Sequence, residues 1–195
     1  METNVLRHLH LNENSVTNLV RALCVLKPLR EIFVRLFTGG AFGAEDLDFD
    51  DISTQFVTGG GIPDLHLEND DVCVFVEVKV TQWCQLTTNQ PENYLRELLG
   101  RPAKEKFFVF LRPPGYAHDH VYKNRRDKFR NENVNSGICF VEITWVDVLK
   151  AIEDSGLTEV SVYARDFCDL LVSMYVPEPI SFTMKELLEV YDGKR

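Results

Sequence analysis

The chain has 195 residues, a length that suits one compact domain, and its 45% hydrophobic and 26% charged residues exclude a disordered or fibrous polymer. Its longest apolar runs, such as Phe107 to Leu111, fall far below the ~18–20 residues of a membrane-crossing helix. Met1-Glu2-Thr3 also lacks the basic-then-apolar profile of a secretory leader, so no membrane contact and a cytoplasmic location are expected. With 21 Lys+Arg against 30 Asp+Glu the net charge is −9, which taken whole argues against a nucleic-acid binder.

The first predicted element is a helix over Ser15–Leu26, with Val16, Leu19, Val20, Leu23 and Leu26 on one face after the capping-type run Asn12-Glu13-Asn14-Ser15. Pro28 opens a second helix, which Gly39-Gly40 ends. Strands are expected at Ile52–Val57 and Pro63–Leu67. The turn Glu68-Asn69-Asp70-Asp71 then leads into the strongest strand, Val72–Val80. A helix follows over Leu86–Leu99 with Pro91 in its first turn, then a doubly buried strand at Lys106–Leu111. Tyr122–Phe129 reads as a basic helix, Ile138–Ile143 as a strand and Val146–Ile152 as a helix. A last helix is expected at Met184–Tyr191. The sum is an α/β (α+β) domain with a central mixed sheet flanked by helices. It spans residues 1–195, with 143–195 as a helical extension.

The acidity is unevenly spread. Residues 1–95 carry −8 and residues 131–195 carry −7, whereas residues 96–130 carry +6. That stretch holds Arg96, Arg101, Lys104, Lys106, Arg112, Lys123, Arg125, Arg126, Lys128 and Arg130. It is either a solvated helix face with a turn or a phosphate-contacting patch. The five cysteines are odd in number and widely spaced, which suggests neither a disulfide framework nor a zinc ribbon; buried thiols in a reducing compartment are expected. His8–His10 and His118–His120 have His-x-His spacing without accompanying ligands, and Trp83 and Trp145 read as packing residues.

Strand Val72–Val80 alternates. Val74, Val76, Val78 and Val80 share one face, and Cys73, Phe75, Glu77 and Lys79 share the other. Glu77 and Lys79 form either an ion pair at a sheet edge or a hard-cation site with a lysine beside it. Antiparallel pairing across the Glu68–Asp71 turn joins positions summing to about 139, which sets Asp64 within one step of Glu77. Two carboxylates with backbone oxygen and water suit Mg²⁺ or Mn²⁺.

Pro63-Asp64, followed after twelve residues by Glu77-Val78-Lys79, resembles the signature of the PD-(D/E)xK nuclease superfamily, and the element order resembles its α-β-β-β-α-β, restriction-endonuclease-like core. Glu13 on the first helix and Gln90, with Tyr94 a helical turn on, match two further recurring features. The resemblance covers residues 13 to 112, extending towards 142. It implies that Asp64, Glu77 and the Val78 carbonyl bind Mg²⁺ or Mn²⁺ and that Lys79 assists the attacking water. It also implies that Glu13 holds a second ion or its water and that Gln90 orients substrate or the active-site strand. The activity implied is metal-dependent cleavage of DNA, with RNA not excluded, by a homodimer in defence or DNA processing. The nucleic-acid contacts expected are Arg96, Arg101, Lys104, Lys123, Arg125, Arg126 and Lys128. The alternatives are a catalytically silent nuclease-like domain that binds nucleic acid or protein, and a simple α/β interaction protein.

Overall fold

The valine-rich segment β3 (Val72–Val78) is the middle strand of a five-stranded mixed sheet in the computed structural model, and all seven of its residues are buried. The structure describes Leu6, residues 12–59 and residues 61–177; the helix expected at Met184–Tyr191, the pair His8–His10 and Gly60 lie outside these residues.

Strands β1 (Ile52–Thr54), β2 (Leu65–Glu68), β3, β4 (Glu105–Arg112) and β5 (Ile138–Thr144) lie in chain order across the sheet. The first three are antiparallel neighbours joined by short connections; β3, β4 and β5 are parallel. Parallel neighbours need a crossover, supplied by α3 (Glu92–Leu99) and α4 (Asp119–Glu132).

Alternation along β3 sorts the core into two layers. Val72, Val74, Val76 and Val78 pack with α1 (Glu13–Leu23), α2 (Lys27–Phe37), α5 (Trp145–Asp154) and α7 (Val162–Tyr175), whose Phe33, Phe37, Trp145 and Phe167 are fully buried. Cys73 and Phe75 face the other way, onto Leu95 and Leu98 of α3 and Tyr122 and Phe129 of α4. The short α6 (Leu157–Val160) links α5 to α7. The molecule is therefore a mixed α/β fold with helices on both faces of its sheet. Truncating one of the buried phenylalanines to alanine costs about 3–5 kcal/mol, because transfer free energy is lost and a cavity remains.

Several local expectations shift. In the hairpin, Leu65 pairs with Val76 and Glu68 with Cys73, so partners sum to 141 rather than 139. The reason is a two-residue turn at Asp70-Asp71, with Asn69 Oδ1 accepting the N–H groups of Asp71 (2.9 Å) and Val72 (3.0 Å). The helix expected from Leu86 begins only at Glu92, with Pro91 as its N-cap rather than inside its first turn. Gln90 Oε1 instead accepts the Thr87 N–H and closes a loop. β1 stops at Thr54, where Gln55 turns into the left-handed region at φ 54°. β3 ends at Val78, two residues earlier than expected. Trp83 is 75% exposed in the loop after β3, whereas Trp145 is buried as expected. Cys139 is also exposed, because it sits on the edge strand β5.

Candidate active site

Three segments converge at the carboxyl end of β3, the region where open α/β sheets hold their ligands. Glu13 is the first residue of α1, placed by the reciprocal caps between Asn12 and Ser15 (Ser15 N–H to Asn12 Oδ1, 2.9 Å; Asn12 N–H to Ser15 Oγ, 2.8 Å). Asp64 immediately precedes β2, and the hairpin register continues to set it opposite Glu77. Glu77 is the next-to-last residue of β3, and Lys79 follows the strand. Asp64 Oδ2 accepts the Val78 N–H at 2.8 Å, which ties the loop before β2 to the end of β3.

Lys79 is the hub. Its Nζ lies 2.7 Å from Glu77 Oε1 and 3.2 Å from Glu13 Oε1. Glu77 and Lys79 are buried, whereas the Glu13 side chain keeps 32% of its surface, so the cluster reaches solvent on that side. Outside the Lys79 ion pair, neither Glu77 oxygen has a hydrogen-bond partner among the described residues. Burial, reinforced by the Asp64 charge, pushes the Glu77 carboxyl up to about 8 against the opposing pull of Lys79. Burial likewise raises Asp64 to about 6, although the Val78 N–H and the Lys79 charge pull it down. Burial alone lowers a lysine, but Glu77 and then Glu13 and Asp64 hold the Lys79 ammonium well above its ordinary value. The cluster thus carries more negative charge than its single cation balances.

Contacts outside the cluster fix its frame. The Lys79 N–H donates to the Leu111 carbonyl of β4 at 2.8 Å. Trp145 Nε1–H donates to the Lys79 carbonyl at 2.9 Å, and the Tyr175 hydroxyl donates to the Val80 carbonyl at 2.9 Å. Those two rings stack with centroids 6.0 Å apart. Gln90 does not stand alone either. Its Nε2–H donates to the Tyr94 hydroxyl (3.2 Å), which donates to the Ile62 carbonyl (2.9 Å) beside Asp64. Gly61 makes this possible: at φ 134°, a Cβ there would stand 2.8 Å from the Tyr94 ring. Arg125 of α4 donates to the carbonyls of Thr87 (2.7 Å) and Gln90 (2.6 Å) and so braces the same loop.

Sequence reasoning missed the supporting roles of Trp145, Tyr175, Gly61 and Arg125. Only the aromatic character of Trp145 and the Gly59-Gly60-Gly61 run hinted at anything there, because side-chain-to-carbonyl bonds over such sequence distances have no local pattern.

The basic stretch is largely engaged within the protein. Arg101 pairs with Glu68 and Glu97, Lys104 with Asp71, Lys123 with Asp119, and Arg112 with Asp119 and Glu142. Arg126 pairs with Asp127 and Glu142. Lys106 donates to the Leu99 carbonyl. The side chains of Arg96 and Lys128, which line a polar pocket between α3 and α4, make no ion pair or hydrogen bond among the described residues. His118 is the N-cap residue of α4, its ring against Tyr116.

Compared with family models, curated proteins and solved structures, the chain matches none. No helix among the described residues is long and apolar enough to cross a membrane.

Asp64 and Glu77 have the donor chemistry of a hard divalent cation: paired carboxylates at a strand end, with backbone oxygen within the same segment. Glu77 Oε2, buried near the Asp64 carboxylate and without a hydrogen-bond partner among the described residues, is the observation that fits such an ion, since an unsatisfied buried carboxylate oxygen is otherwise costly.

Proposed function

We propose that the protein is a divalent-metal-dependent nuclease of restriction-endonuclease-like fold that hydrolyses DNA phosphodiester bonds. The observation that carries this reading is the convergence of Glu13, Asp64, Glu77 and Lys79 from three separate segments, with Lys79 Nζ between Glu77 and Glu13 and the Glu77 oxygens otherwise unpartnered. Asp64, Glu77 and the Val78 carbonyl would hold Mg²⁺ or Mn²⁺, with Glu13 completing the acidic set. When bound, the ion supplies Lewis acidity at the phosphate and lowers the pKa of water.

The remaining work belongs to the chain itself. Lys79, kept as an ammonium by its carboxylate neighbours, orients the attacking water and offsets charge on the phosphate. The Asp64–Val78 bond keeps the two carboxylate-bearing strands in register. Gln90 holds the Tyr94 hydroxyl against the Ile62 carbonyl, so it orients the segment that carries Asp64 rather than standing free for substrate. One such site cuts one strand, so a homodimer accounts for double-strand cleavage. RNA offers the same phosphodiester chemistry.

Supercoiled plasmid incubated with Mg²⁺ or Mn²⁺ tests the reading. Nicking that needs the ion and disappears in Asp64→Asn supports it; equal nicking by the variant overturns it. A second reading, a catalytically silent domain, is favoured by one observation: most of the basic stretch is paired internally, which leaves little charge for a phosphate backbone. Retarded but uncut plasmid, or neither binding nor cutting, selects that reading.

A further inference from the structure

We propose that His66, Glu68 and Cys73 form a second cation site, for a zinc-class ion, on the same sheet face as the Asp64–Glu77 pair and two rungs further along the hairpin. The proposal stands apart from the nuclease reading. His66 and Glu68 are alternate residues of β2 and therefore share a face, and Cys73 is the register partner of Glu68 on β3. One ligand atom from each lies within 4.8 Å of the others: His66 Nε2 is 2.8 Å from Glu68 Oε2 and 3.9 Å from Cys73 Sγ. Tetrahedral zinc, with Zn–S near 2.3 Å and Zn–N or Zn–O near 2.1 Å, sets neighbouring ligand atoms about 3.4–3.6 Å apart. The observed separations fall on either side of that range, so small side-chain rotations suffice. Thiolate and imidazole favour zinc over magnesium.

The histidine is already oriented. Ser53, its register partner on β1, sets Oγ 3.3 Å from His66 Nδ1 and 3.5 Å from the His66 carbonyl, and the Phe56 ring stacks on the imidazole at 4.2 Å. A partner on the second ring nitrogen is what orients a metal-binding histidine. The Ser53 hydroxyl can donate to Nδ1, or it can accept from Nδ1–H while donating to the carbonyl. It therefore serves the tautomer that donates to Glu68 and the one that offers its Nε2 lone pair to an ion. Arg101 is the competitor, with Nη1 3.2 Å from Glu68 Oε2; its Nη2 holds Glu97 at 3.0 Å, a carboxylate to which it can retire. Coordination exchanges the Cys73 S–H bond for a sulfur–metal bond and releases one proton to solvent. Water takes the fourth position.

Cobalt titration of the metal-stripped full chain tests the site. The expected result is a one-equivalent complex with a thiolate-to-cobalt absorption band, displaced by Zn²⁺, lost in Cys73→Ser and in Glu68→Gln, and kept in Cys84→Ser and Cys139→Ser. Ser53→Ala should weaken Zn²⁺ binding about 10–100-fold. Far-UV circular dichroism separates ligand loss from unfolding, and Glu68→Gln serves where the buried Cys73→Ser misfolds. Absence of the band, its persistence without Cys73, or its loss in the Cys84 or Cys139 variant overturns the proposal. Cobalt at Asp64 and Glu77 meets only oxygen and produces no thiolate band, so failure here leaves the nuclease reading untouched, and failure of plasmid nicking leaves this site untouched.

Discussion

The carboxylate of Asp64 accepts the backbone N–H of Val78 at 2.8 Å, so a proposed metal ligand on one strand is aimed by the backbone next to the ligand on its neighbour. Asparagine retains an acceptor at that position, whereas alanine strands a buried N–H. Asp64→Asn should therefore unfold in urea close to wild type yet lose the stabilisation that Mg²⁺ provides. Asp64→Ala should cost about 1–3 kcal/mol with or without the ion. Urea unfolding in EDTA and in Mg²⁺ separates the two effects.

Lys79 is the single cation balancing Glu77 in a buried setting. Lys79→Met leaves an unpaired buried carboxylate and should cost about 3–5 kcal/mol. Adding Glu77→Gln should recover much of that loss, because the uncompensated Glu77 charge is gone. A double-mutant cycle in urea reads the coupling directly; additive losses would show that the pair is not coupled.

The start of α4 should be acid-sensitive. Burial raises Asp119, but hydrogen bonds from Lys123 and Arg112 outweigh it and hold its carboxyl below the usual value. A depressed folded-state pKa contributes stability that is present above the unfolded value, near 4, and is lost as pH falls through the folded one. Wild type should thus lose stability on acidification more steeply than Asp119→Asn. Unfolding midpoints collected between pH 3 and 7 provide the comparison.

Arg125 holds the Gln90 loop through two backbone carbonyls. Arg125→Ala should speed amide hydrogen exchange across residues 86–91 while the strands keep their protection. If the loop exchanges no faster, it is held by Gln90 and Tyr94 alone.

Among the basic residues, those without internal partners should dominate any DNA affinity. Arg96→Glu and Lys128→Glu should each weaken binding and reduce the salt slope by about 1, the effect expected of a lost phosphate contact. Lys104→Glu, already paired with Asp71 in the wild type, should change the slope less. Fluorescence anisotropy at several salt concentrations measures all three.

Much of this architecture is legible in residue order, because hydrophobic period is a local property. Alternation in Val72–Val78 separates the two core layers, and the unbroken apolar run at 107–111 marks a strand covered on both faces. Pro28 and Asn12 mark helix starts through backbone chemistry that needs no distant partner. Glu77 and Lys79 are cofacial from period alone, and the short hairpin brings Asp64 near them.

What residue order leaves open depends on chain segments that meet only after folding. The exact hairpin register turns on two bonds to the Asn69 side chain, and a change of two in the pairing sum shifts Asp64 to the position opposite Glu77. Trp83 and Trp145 are the same residue type, yet one is exposed in a loop and the other buried under α7, since burial depends on what packs above. The basic stretch reads as one +6 patch along the chain, but in space most of its charges face Glu68, Asp71, Glu97, Asp119 and Glu142. Net charge adds along a sequence without regard to position, whereas electrostatic attraction falls with distance. The sequence determines the strands, their faces and the presence of a lysine among carboxylates. Only the tertiary structure decides which charges neutralise each other and which remain free to meet a partner.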